Sequence, residues 1–101
     1  MKAIAGLRAS GNVHSLAINL NQLGFLMLRQ DREREAVGYF SQAASLFGKM
    51  GDLYNLVNSH KGLYESYWSI NPDSARIELE HFNALRDSLY STATADALAR
   101  Y

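Results

Sequence analysis

Glu78-Leu79-Glu80-His81 holds one E-x-x-H, the spacing that sets a carboxylate and an imidazole on the same face of a helix. Di-iron helical bundles use this pairing, but they need two such motifs and two further carboxylates. The chain has one copy. His14 and His60 fall in other helices without an i, i+4 partner, so each is expected to be a solvated or hydrogen-bonded imidazole, and no metal is assigned. Ser, His and Asp all occur, yet no strand-turn-helix elbow presents a nucleophile and no glycine-rich loop could cradle a phosphate. The absence of cysteine removes disulfides, thiolate nucleophiles and Cys-ligated zinc. No catalytic residues and no cofactor are expected, and the chain reads as a non-enzyme.

Two further groups could act by binding. Arg29 to Glu35 alternates in sign, as a solvated turn with weak i, i+4 pairs does. Tyr64, Tyr67, Trp68, Phe82 and Tyr90 could form a ligand cage, but their helical spacing predicts that most of them belong to the core. Lys plus Arg number 10 and Asp plus Glu number 10, so nothing draws the chain generally to phosphates, and nucleic acid is not expected as a partner. The most apolar short run, Leu23 to Leu28, is far below the roughly 20 residues of a spanning helix. Met1 to Ser10 lacks a secretory apolar region, so direct membrane contact is not expected. Cytoplasm and bacterial periplasm both fit.

The elements that must carry these residues are helices. With 48% hydrophobic residues in 101, the chain can build one core. Gly11 and Gly51 lie 40 positions apart, and the same offset aligns Ala3 with Ala43, Leu16 with Leu56 and Leu23 with Leu63. A period in this range marks a helical repeat array. Asn12 and Asp52 follow the two glycines, predicting that each pair closes one helix and caps the next. Apolar residues recur at threes and fours in Leu16, Leu20, Leu23, Met27 and in Ala36, Phe40, Ala43, Phe47. Helices are expected at roughly 2–10, 13–29, 33–49, 53–69 and 72–90, with a helical extension over 91–101. Asn71-Pro72-Asp73 is the sharpest start signal: an asparagine cap, a proline whose missing N–H costs nothing at the first helical position, and an acid at the positive end of the dipole. Asp31 is expected to take the left-handed turn position usually given to glycine.

Leu20-x2-Leu23-Gly24-x2-Met27 followed by Ala36-x3-Phe40 and Ala43 resembles the tetratricopeptide repeat (TPR) pattern. The resemblance implies an all-α solenoid of antiparallel hairpins with about five helices: a partial repeat at 1–10, then repeats at 13–49 and 53–90. Gly24 and Ala36 are expected to face one another where the hairpin is tightest, with Phe40 filling the gap beside Ala43. The second copy, Leu63, Tyr67, Ala75 and Leu79, places Tyr64 where the glycine should stand and His60 where a large apolar residue should; Gly62, two positions earlier, is the alternative source of close approach. The period exceeds the family's roughly 34 residues. With G-D and G-N turns and the ending Ala84 to Tyr90, it is similar to TPR regions of Bacteroidetes sensor kinases and regulators.

Such a resemblance implies a protein- or peptide-binding scaffold within a larger bacterial signalling protein. In TPR proteins the first helix of each hairpin lines the concave groove. Here that face is Asn21, Phe25 and Leu28 in one repeat and Asn58, Lys61, Glu65 and Trp68 in the next. Lys61 is followed by Glu65, which would repel a C-terminal carboxylate, so a chaperone-tail receptor is not expected. The alternatives are a self-association module, with Ile4, Leu7, Leu85, Leu89 and Leu98 exposed at the ends as a homodimer contact, and a small-molecule sensor.

Overall fold

Schellman turns end the first two helices. At Asp31, φ is 58°, Asp31 N–H donates to the Leu28 carbonyl at 3.1 Å and Arg32 N–H to the Met27 carbonyl at 2.9 Å. At Gly51, φ is 71°, and the same two bonds run from Gly51 to Gly48 and from Asp52 to Phe47. Both turns satisfy carbonyls that a helix end would otherwise leave open. In the computed structural model, which describes the backbone of residues 2–99 and the side chains of residues 11–91, the chain forms four helices: α1 (Lys2–Arg29), α2 (Glu33–Met50), α3 (Leu53–Tyr67) and α4 (Pro72–Ala99). Asn71 caps α4 as expected, its Oδ1 accepting from the Ser74 N–H at 3.2 Å.

Two boundaries differ from the sequence reading. Gly11-Asn12 does not interrupt α1, and the orphan helix and its successor are one element of 28 residues. A helical glycine costs only about 1 kcal/mol, and no chain reversal is imposed there. The two G-N/G-D signals are therefore not equivalent. At the other boundary the expected helical extension continues α4 without a break through Ser91-Thr92-Ala93-Thr94 to Ala99, because serine and threonine are weak formers rather than breakers and no glycine or proline follows. The side chains of Ile4, Leu7 and Leu98 lie outside the described residues.

Consecutive helices pack as antiparallel pairs, and α1 also touches α3. No α2–α4 or α1–α4 packing occurs among the described residues, so α1 and α3 form one layer and α2 and α4 the other. The resulting slab measures 45 × 41 × 19 Å, two helices thick. Four helices in adjacent pairs replace the expected five-helix solenoid, and two pairs do not define a superhelix.

The core sits where small residues let helices close on Phe40. The aromatic ring is fully buried in a cluster with Met27, Ala36 and Leu63. Gly24 of α1 and Gly62 of α3 press on it from two sides: a Cβ on Gly24 would stand 2.7 Å from the ring, and one on Gly62 would overlap it as well. Gly24 therefore gives its close approach to Phe40, and Gly62 supplies the close approach that Tyr64 cannot. Phe25 adds an edge-on ring contact to Phe40 at 4.7 Å. A second cluster, Ala17, Leu20, Ala43 and Phe47, joins the other end of α1 and α2, with Leu56 of α3 packed against it.

Candidate functional site

The inward face of α3 is made of Ser59, Gly62, Leu63 and Ser66, at i, i+3, i+4 and i+7. Three of the four are small, and the two serines are fully buried. Their hydroxyls are satisfied locally and across the layer: Ser66 Oγ donates to the Gly62 carbonyl at 2.7 Å, and Ser59 Oγ donates to Asn21 Oδ1 of α1 at the same distance. Asn21 Nδ2 reaches the Asn55 carbonyl at 3.5 Å. A buried, paired asparagine fixes register between helices and is not available to a ligand.

Three residues of the expected binding face, Asn21, Phe25 and Leu28, are buried or half-buried. Asn21 is 7% exposed, and Phe25 and Leu28 are half-buried against the Phe40 cluster. The face of α1 that meets solvent carries Leu16, Leu23 and Leu26, which are 50%, 38% and 38% exposed. With Asn19, Gln22 and Arg29, Leu23 and Leu26 line an open trough of ≈ 620 Å³. The helix is apolar on two sides, so periodicity does not tell which side is covered. The other half of the expected face is exposed: Asn58, Lys61, Glu65 and Trp68 line one stripe of α3, and Trp68 is 68% exposed with Tyr64 edge-on beside it at 6.2 Å. Of the aromatic set, Tyr67 packs against the Phe40 cluster and none is fully buried. Tyr64, Tyr67 and Phe82 are half-buried, while Trp68 and Tyr90 are mostly in solvent.

The Arg29 to Glu35 turn is solvated, with one i, i+3 pair between Arg32 and Glu35 at 2.7 Å, where exposure leaves little net stabilisation. At the opposite turn Asp52 caps α3. Its carboxylate accepts from the Asn55 side-chain amide at 2.7 Å, the Asn55 backbone N–H at 3.2 Å and His14 Nε2 at 3.0 Å. The Asn55 amide is the largest influence holding the Asp52 carboxyl below its usual range; desolvation opposes it, and the backbone bond and His14 reinforce it. A depressed folded-state value stabilises the fold above the unfolded value of about 3.9, and that stabilisation is lost as pH falls through the folded value. Unfolding midpoints in urea should therefore fall more steeply for the wild type than for Asp52→Asn between about pH 5 and about pH 2, since asparagine caps without titrating. Parallel pH profiles would remove Asp52 from the acid response.

Across the layer interface, α3 and α4 bring together three groups that the sequence separates. His60 Nδ1 lies 2.6 Å from Glu78 Oε2, and His81 Nδ1 lies 3.8 Å from the same oxygen. The His60 and Glu78 side chains are 17% and 18% exposed, and His81, at 56%, closes the cluster from the solvent side. The two imidazole rings meet edge-on at 5.2 Å. His60 and His81 border an apolar trough with Leu56, Ala84 and Leu85. His60 is hydrogen-bonded, as one of the two expected states of the histidines, and its partner Glu78 brings it beside His81. Glu78 and His81 were legible as an i, i+3 pair; His60, 18 positions before Glu78, joins them only through the pairing of α3 with α4.

No protein-family model, no curated protein and no solved structure matches the chain. The protein is a small all-helical domain of adjacent helix pairs. Among the described residues no helix is long and apolar enough to cross a membrane.

Proposed function

We propose that the protein is a helical-repeat scaffold of the TPR type that binds a protein or peptide partner, within a larger bacterial signalling protein. The observation that carries the binding reading is the outer face of α1, where Leu16, Leu23 and Leu26 stand in solvent along one side of a helix with Asn19, Gln22 and Arg29 around them. Exposed aliphatic side chains in a row, rimmed by polar groups, are the pattern of a contact surface. Their spacing of seven and three suits the side chains of an amphipathic helix laid along α1. Balanced charge supports a protein partner over nucleic acid. The TPR reading draws support from the layer order, with the first helices of the two pairs, α1 and α3, side by side, and from Gly24, the glycine of the repeat pattern, standing where α1 closes on α2.

The simplest amphipathic helix available is α1 of a second copy. Sedimentation from micromolar to millimolar concentration, on the wild type and on Leu23→Lys/Leu26→Lys, tests this together with affinity capture on the same two proteins. A mass above 11.3 kDa in the wild type alone identifies a homodimer. A partner retained by the wild type, lost by the variant and rebinding in purified form identifies a heterologous ligand. Monomers throughout and identical capture by both proteins reject the α1 face as a binding surface.

A further inference from the structure

The geometry of His60, Glu78 and His81 points to a binding site for a divalent transition metal of the Zn²⁺ type, held between α3 and α4. Two imidazole nitrogens and one carboxylate oxygen are the donor set such ions favour, and they exclude the all-oxygen preference of Mg²⁺ and Ca²⁺. All three ligand atoms lie within 4.8 Å of one another. Metal–nitrogen and metal–oxygen bonds of about 2.0–2.2 Å in a tetrahedral shell place neighbouring donors roughly 3.3 Å apart. The His60–Glu78 separation of 2.6 Å must open and the His81–Glu78 separation of 3.8 Å must close, each by less than a side-chain rotamer change requires.

The protein supplies a reason for the three to converge. Glu78 and His81 share one face of α4, and α3 holds His60 against them because its own inward face is fixed by Ser59, Gly62 and Leu63 on the other side. His60 and Glu78 are mostly covered while His81 is open, so an ion enters from solvent without unpacking the helices. Binding exchanges the hydrogen bond between His60 and Glu78 for two bonds to the metal, the imidazole of His60 carrying its proton on Nε2 so that Nδ1 is free to ligate. Three protein ligands leave a fourth position free. Water or an added donor can fill it, and His60 and His81 border a trough of ≈ 340 Å³ with Leu56, Ala84 and Leu85 that has room for one.

The test uses Zn²⁺ and Co²⁺ alone with the full chain, freed of metal by chelation. Calorimetry is expected to give one Zn²⁺ per chain, Co²⁺ to develop visible absorption of a four-coordinate site, and Zn²⁺ to raise the melting temperature. His81→Ala, whose side chain is mostly in solvent and whose loss leaves the fold intact, should weaken Zn²⁺ by at least about tenfold, and Glu78→Gln likewise. His14→Ala, on the far side of α3's N-terminus, should leave affinity unchanged. Absence of stoichiometric binding, or an affinity that His81→Ala and Glu78→Gln do not alter, overturns the site. Circular dichroism of each variant distinguishes lost ligation from lost fold.

Discussion

Phe40→Ala will lower the unfolding free energy by about 3–5 kcal/mol, the cost of deleting a fully buried aromatic ring and leaving part of its volume empty. A domain of this size has about 5–15 kcal/mol in total, so the variant stands at the edge of folding. The reason is positional. Phe40 lies on α2 but touches α1 through Gly24 and Phe25, and α3 through Gly62, so its ring is the common contact of three helices. Neither glycine can reach across the gap its removal would leave. Chemical denaturation followed by far-ultraviolet circular dichroism measures the loss, and a value below about 1 kcal/mol would mean that the three helices are held elsewhere.

Gly62→Leu is the converse case, and helix propensity argues against the expected sign. Leucine is the better helix former by close to 1 kcal/mol, yet the variant is expected to be less stable by about 1–3 kcal/mol, because its side chain must occupy space already filled by Phe40. Gly24→Leu meets the same ring from the other side and should behave alike. In a Phe40→Leu background the penalty at Gly62 should shrink, giving a coupling of roughly 0.5–3 kcal/mol. Additive effects, or a raised melting temperature in either glycine variant, would show that the ring and the glycines are not in contact.

Local chemistry made the turns and one helix start readable. Asn71-Pro72 caps α4, Gly51 and Asp31 take left-handed backbone, and each is decided by its own residue and one or two neighbours. The failures share a different cause. Gly11-Asn12 looks like Gly51-Asp52, but Gly51 takes the left-handed backbone that ends α2 whereas Gly11 stays within the helix. Aligning the repeat at 40 placed Tyr64 opposite Gly24, whereas Gly24 and Gly62 are the pair that clasps one ring. Close approach is set by side-chain size, and a hydrophobic periodicity registers leucines instead. The same bias put Leu23 inside and Asn21 outside, when Ala17, Asn21 and Gly24 are the residues that face the neighbouring helices. In the His60, Glu78 and His81 cluster the sequence spacing supplied two members, and the third came from tertiary pairing that no local pattern encodes.

Each helix rests chiefly on the helix before and after it in the chain, with α1 against α3 the one exception among the described residues. Folding thus requires few encounters between distant segments, and the entropy lost on closing loops is small. Chains with such local topology fold in microseconds to milliseconds. The pair formed by α1 and α2 can assemble while α4 is still being synthesised. Phe40 then waits as an apolar knob until Gly62 arrives to cover it.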